Sequence, residues 1–194
     1  MINPYEAFKN AVQANIDKPI ENWDRITEQM ATLSIKKGDY LIRAGNTVEE
    51  VYFCVKGIFR LFYLLEDGSE FIKSFCYENE FVTSYGALVN SFESPFSIQA
   101  LEDSIVIVIS KGLLEELIRN SRVWEMVVRK EVEKLYLKKE KREMEFLNLN
   151  ATERYNNFIK EYPELVYRIP QYYIASYLGI SPVSLSRLIK ELKN

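Results

Sequence analysis

From Ser121 to Leu149 the chain contains neither proline nor glycine, and charges of both signs interleave with apolar residues. Nothing there interrupts a ladder of i to i−4 hydrogen bonds, so the stretch predicts one long helix. A rod of that length cannot lie inside a small globule, and it divides the chain into 1–120, 121–149 and 150–194. Val128, Val132 and Leu135 recur on it at heptad spacing, but the repeat continues as Lys139, Arg142 and Phe146, which leaves the seam charged from Lys138 to Arg142. The expectation is a dimerisation helix that pairs two copies through Val128, Val132 and Leu135. The other reading is a helix that packs on its own domain.

The texture before the rod is different. Tyr5, Phe8, Val12, Ile16, Ile20, Trp23 and Ile26 fall mostly three and four apart and are broken by Pro19, which predicts two short amphipathic helices. From Ala31 to Ile109 there are short runs rich in β-branched and aromatic residues, punctuated by turn signals such as Lys37-Gly38-Asp39 and Glu66-Asp67-Gly68-Ser69. Regular short strands of this kind predict an antiparallel roll or sandwich. Asn79 to Pro95 breaks the rhythm, and Ser110 is placed to cap a short helix before the rod. After the rod, Asn150 with Glu153 three residues on has the form of a capping box, so a new helix and a C-terminal domain begin there. The fold class is therefore α+β.

Charge follows the same division. Residues 1–120 carry 11 basic against 18 acidic side chains, a balance of −7, while 121–194 carry 14 against 10, a balance of +4. Only the C-terminal part is suited to a polyanion. The chain has no histidine, which removes the commonest general base and metal ligand. With no Gly-x-Ser-x-Gly elbow, phosphate-binding glycine loop or carboxylate metal motif in view, an enzyme is not expected, nor is a cofactor. Cys54 and Cys76 both sit in apolar, strand-like runs and read as buried thiols. No basic, apolar leader opens the sequence and no apolar run reaches membrane-spanning length, so a cytoplasmic protein with no membrane partner is expected.

Pro170 to Leu192 carries the most specific pattern. Ala175 is small where a second helix would cross closely, Gly179 can take the positive φ of a tight turn, and Ile180 plugs the interface behind it. Ser181 then caps the second helix with Pro182 in its first turn, where a missing N–H costs nothing. Leu185, Leu188, Ile189 and Leu192 form the expected buried stripe. Val183, Ser184, Ser186, Arg187 and Lys190 are left on faces free for a ligand, with Gln171 and Ser181 at the two helix starts. Such a helix can enter the major groove of double-stranded DNA, with Arg187 reading guanine through its planar fork and Lys190 on phosphate. A hairpin used only for packing is the plainer alternative. Of Tyr172, Tyr173 and Tyr177, at least two are expected in the core.

With these residues in view, the chain from about residue 30 to the end resembles the Crp/Fnr family of bacterial regulators. Lys37 to Gly45 and Val51 to Arg60 look like the opening strands of that family's β-roll. Ala151-Thr152-Glu153-Arg154-Tyr155 and Ile174 to Pro182 look like the branch common in Bacteroidetes. The resemblance implies a cyclic-nucleotide-binding-like jelly roll, a long dimerisation helix and a winged helix-turn-helix that recruits or blocks RNA polymerase. Members that bind cyclic AMP carry a Gly-Glu and an Arg-Ser pair in the roll, where Thr83-Ser84 and Ser94-Pro95 stand here. Iron–sulfur members need more than two cysteines, and haem members commonly use histidine.

The effector is therefore expected not to be cyclic AMP. Between Arg60 and Arg119 the only basic residues are Lys73 and Lys111, while Glu78, Glu80 and Glu93 would repel a phosphate. A roll plugged by aromatics such as Phe62, Phe71 or Phe96 is expected, or one that is empty or holds an uncharged ligand; the competing idea has Lys73 swing in as a substitute cation. A small-molecule or protein-binding roll without DNA binding is the alternative from another functional class.

Overall fold

The computed structural model describes residues 3–14 and 16–193. Two helices, α1 (Pro4–Gln13) and α2 (Trp23–Thr27), precede eight strands: β1 (Ala31–Ile35), β2 (Tyr40–Ile42), β3 (Glu50–Lys56), β4 (Phe59–Leu64), β5 (Glu70–Cys76), β6 (Phe81–Val82), β7 (Ser97–Ala100) and β8 (Ser104–Ser110). A short helix, α3 (Tyr85–Asn90), occupies the irregular stretch between β6 and β7. There follow α4 (Lys111–Asn120), the rod α5 (Arg122–Asn148), α6 (Ala151–Glu161), α7 (Leu165–Arg168), α8 (Gln171–Leu178) and α9 (Pro182–Lys193).

The strands form two antiparallel four-stranded sheets, in the orders β1-β8-β3-β6 and β2-β7-β4-β5. This agrees with the antiparallel roll or sandwich that strand spacing predicts, in the jelly-roll form that the resemblance implies. The first sheet closes against the N-terminal helices through Phe8, fully buried with its ring 5.0 Å from Phe53 and 5.3 Å from Trp23. Both caps read from the sequence are made. Ser110 Oγ accepts from Leu113 N, and the Asn150 and Glu153 side chains exchange hydrogen bonds with each other's backbone N–H groups. Cys54 and Cys76 are buried free thiols.

Three expectations need correction. Every element after Ser110 is helical, so the wing has no counterpart among the described residues. Leu192 is 48% exposed and lies outside the buried stripe, whose anchors are Leu185 and Leu188. Phe62 does not plug the roll: it faces outward, in a second core with Ile58, Ile72 and Phe75, and the helices α6 to α9 close over that core. A strand alternation read alone cannot tell which of two faces a later domain will cover.

That second core fixes the C-terminal helices on the roll. α8 runs along β5, the edge strand of its sheet, and satisfies its edge: Ile72 N donates to Ser176 Oγ at 2.9 Å, and Ser176 Oγ donates to Glu70 O at 3.1 Å. Arg168, just before α8, forks onto Glu78 at 2.7 and 3.0 Å and reaches Glu102 at 2.5 Å. Burial alone would push the Glu78 carboxyl up, but Arg168 and the Gly57 N–H outweigh it, and the group titrates below its ordinary value. Arg60, 4% exposed, pairs with Glu70 and lies 4.5 Å from the Tyr173 ring.

Candidate nucleic-acid interface and sensor cavity

The turn between α8 and α9 is built as its residues require. Gly179 adopts φ 69°, and a Cβ there would come within 2.7 Å of the Phe146 ring, so both conformation and space call for glycine. Ala175 is fully buried at the crossing, and Ile180 N closes the turn onto Ala175 O at 3.0 Å. Ser181 Oγ accepts from Ser184 N at 3.1 Å and shares a 2.8 Å hydrogen bond with Ser184 Oγ. Arg154 ties the unit to the rod, donating to Leu178 O and Leu149 O.

The structure places Gln171, Ser181, Val183, Ser184, Ser186, Arg187 and Lys190 at the surface. The last five share the outer side of α9, with Val183 60% exposed, while Leu185 and Leu188 anchor the opposite side. Gln171 stands apart, at the first residue of α8. Tyr173 and Tyr177 are partly buried in the second core and Tyr172 is exposed.

Val128 and Val132 are half-buried, Leu135 is 36% exposed, and beside them Tyr136, Leu137 and Met144 are open. The same Val128, Val132 and Leu135 also wall a cavity of about 430 Å³ between the roll and α5. Sequence spacing reported their helical face; it could not report that this face borders a hollow. Most of the walls are apolar, among them Leu61, Phe81, Phe96, Trp124 and Val127. Of the aromatics expected to plug it, only Phe96 lines it, and Phe71 faces the outer groove by Phe146 and Tyr177 instead.

The cations around this cavity come from two parts of the chain. Lys73 lines it, with Nζ 4.4 Å from the centre of the Phe96 ring, and is joined there by Lys138 and Lys139 from α5. The register of β4 against β5 explains the position of Lys73: Leu61 pairs with Ser74 and Phe62 with Ile72, so Lys73 is the extra residue of a β-bulge. A bulge re-aims side chains, and here Lys73 and its neighbour Ser74 both line the cavity. Among the described residues the Lys73 ammonium has no hydrogen bond or ion pair. Burial, reinforced by Lys139, Arg142 and Lys138, lowers its pKa to about 8.

The acids counted against an anion are otherwise engaged. Glu78 is held by Arg168 away from the cavity, Glu80 lies 3.5 Å from Lys138, and Glu93 is exposed and is not among the lining residues. At the cassette positions Thr83 Oγ1 donates to Glu50 O and Ser94 Oγ to Phe96 O, so both hydroxyls are spent on the backbone.

Comparison with known proteins agrees with this architecture. Residues 32–121 match the family model of the cyclic nucleotide-binding domain. No curated protein sequence matches the chain. Among solved structures, FixK2 from Bradyrhizobium japonicum superposes with TM-score 0.70 at 20% identity, covering 84% of each chain. CLP from Xanthomonas campestris, described as a c-di-GMP-responsive global regulator, gives 0.71 at 16% identity, over 88% of this chain and 89% of that one. A protein from Eubacterium rectale assigned to the Crp/Fnr family of transcriptional regulators gives 0.72 at 14% identity, over 91% and 84%. The chain thus carries a cyclic-nucleotide-binding-type roll, a long helix and C-terminal helices in the arrangement of Crp/Fnr regulators. No helix among the described residues is long and apolar enough to cross a membrane.

Proposed function

We propose that this protein is a cytoplasmic, sequence-specific DNA-binding transcription regulator that works as a homodimer, its parts being a sensor roll (1–120), a dimerisation helix (121–149) and a reader (150–194). The observation that carries this reading is the exposed polar and basic face of α9, which begins at a capped turn and is held by buried Leu185 and Leu188. Arg187 reads a base and Lys190 a phosphate, with Gln171, Ser181, Val183, Ser184 and Ser186 as neighbours at the interface. Two copies joined through Val128, Val132 and Leu135 would present two such helices to two half-sites. RNA polymerase is the downstream partner, recruited or blocked at the promoter.

Gel retardation on fragments upstream of the protein's own gene tests the reading. Arg187→Ala should cost about 1–3 kcal/mol at the cognate site and relax specificity at one base pair. Lys190→Ala should weaken specific and random DNA alike and reduce the salt slope by about one. No retardation at low salt would remove the proposal.

A further inference from the structure

The cavity between the roll and α5 combines an apolar interior with two cations, Lys73 and Lys139, that make no ion pair among the described residues. Lys73 is the centre of that imbalance. Its ammonium sits at a bulge and over an aromatic ring, with no ion pair among the described residues. Arg142 stands close by with Nη2 on Ile72 O at 2.9 Å, and its buried Nη1 has no hydrogen-bond partner. On the acidic side, the lining residues Glu80 and Glu131 face Lys138 and Lys134 at 3.5 and 2.7 Å. Glu143 borders only the outer groove.

A half-buried lysine without a partner is a costly arrangement unless something supplies the missing charge. Elsewhere the walls of the cavity are mostly apolar. Thr83 and Ser74 already donate to backbone carbonyls, the hydroxyls of Tyr63, Ser84 and Tyr85 also border the cavity, and Leu61, Phe81, Phe96, Trp124 and Val127 offer hydrocarbon and ring surface. The Trp124 indole N–H, buried and without an acceptor, is one further donor in those walls.

We propose that the cavity binds an amphipathic carboxylic acid, a molecule with an apolar body enclosed by the roll and α5 and a single carboxylate held by Lys73 and Lys139. The volume, about 430 Å³, lies within the usual range of small-molecule sites. Occupancy would be felt at the reader through one residue. Ile72, next to Lys73, accepts from Arg142 through its carbonyl and donates through its N–H to Ser176 of α8. That consequence rests on the DNA-binding reading, whereas the ligand itself does not.

The test uses the full chain and two probes of different shape, dodecanoate and 2-naphthylacetate, titrated by calorimetry at pH 7 beside dodecan-1-ol. At least one acid should bind once per chain with Kd below about 100 μM, and the alcohol at least about tenfold more weakly than dodecanoate if that is the acid bound. Lys73→Met should weaken the acid about tenfold or more, and Lys139→Gln, at an exposed position, should weaken it severalfold. Binding of neither acid at millimolar concentration would overturn the inference, as would equal affinity in wild type and both variants. Gel retardation of the ligand-free protein is scored separately. Loss of acid binding with DNA binding intact refutes only the ligand, and the reverse result refutes only the reader.

Discussion

Replacing Lys73 by Met should stabilise the ligand-free protein, which is the opposite of what removing a half-buried side chain usually does. The lysine's pKa stands at about 8 instead of 10.5, chiefly because burial disfavours its charged form and secondarily because Lys139, Arg142 and Lys138 repel it. Taken whole, that displacement corresponds to a penalty of about 3 kcal/mol for folding with the ammonium charged. Because Lys73 keeps some contact with solvent, about 1–3 kcal/mol is the expected gain for Met, whose unbranched chain can follow the same path over Phe96. In a chain of this length that is a rise in Tm of roughly 3–10 °C. The pH dependence is distinctive. Below pH 8 both folded and unfolded states are protonated and the penalty is complete. Between about 8 and 10.5 the unfolded state binds more protons, so wild-type stability rises with pH relative to the variant. The gap between the two should be constant from pH 6 to 8 and close by about 10.5. Urea unfolding of both proteins over this range measures it. A variant no more stable at pH 7, or a gap that persists unchanged at high pH, would show that Lys73 is not a strained cation.

Other outcomes follow from single contacts. Arg168→Met removes the fork onto Glu78 and Glu102; it should loosen α8 from β5 by about 1–3 kcal/mol, read as faster hydrogen exchange at Ile72 with β3 and β8 unchanged. Gly179→Ala adds a Cβ 2.7 Å from Phe146 at a φ of 69°; a loss of about 1–3 kcal/mol in urea unfolding is expected, and a neutral result would refute the account of the turn. Asn150→Ala opens the capping box and should cost about 1 kcal/mol in the same assay. Replacing Val128, Val132 and Leu135 together by Asp should give monomers by light scattering and abolish specific retardation; a wild-type protein already monomeric at micromolar concentration contradicts the dimer.

Local chemistry was legible in the amino-acid order. The rod, the strand run, the Ser110 and Asn150 caps and the Ala175, Gly179 and Ser181 turn each depend on residues within one or two helical turns of one another. Their physical causes, backbone bonding, φ preference and capping, act at that range. The tertiary structure decided what those elements face. Phe62 read as a plug of the roll, but the C-terminal helices cover it. Val128 and Val132 read as a helix seam, but they also wall a cavity. The charge of that cavity shows the reason most plainly. Between Arg60 and Arg119 the sequence offers only Lys73 and Lys111 as cations, against Glu78, Glu80 and Glu93, but an interval of sequence is not a region of space. In the folded chain Arg168 has drawn Glu78 elsewhere, while Lys138, Lys139 and Arg142 arrive from α5 more than sixty residues away. Coulomb interaction falls off with distance through space and burial, and neither is a property of position along the chain.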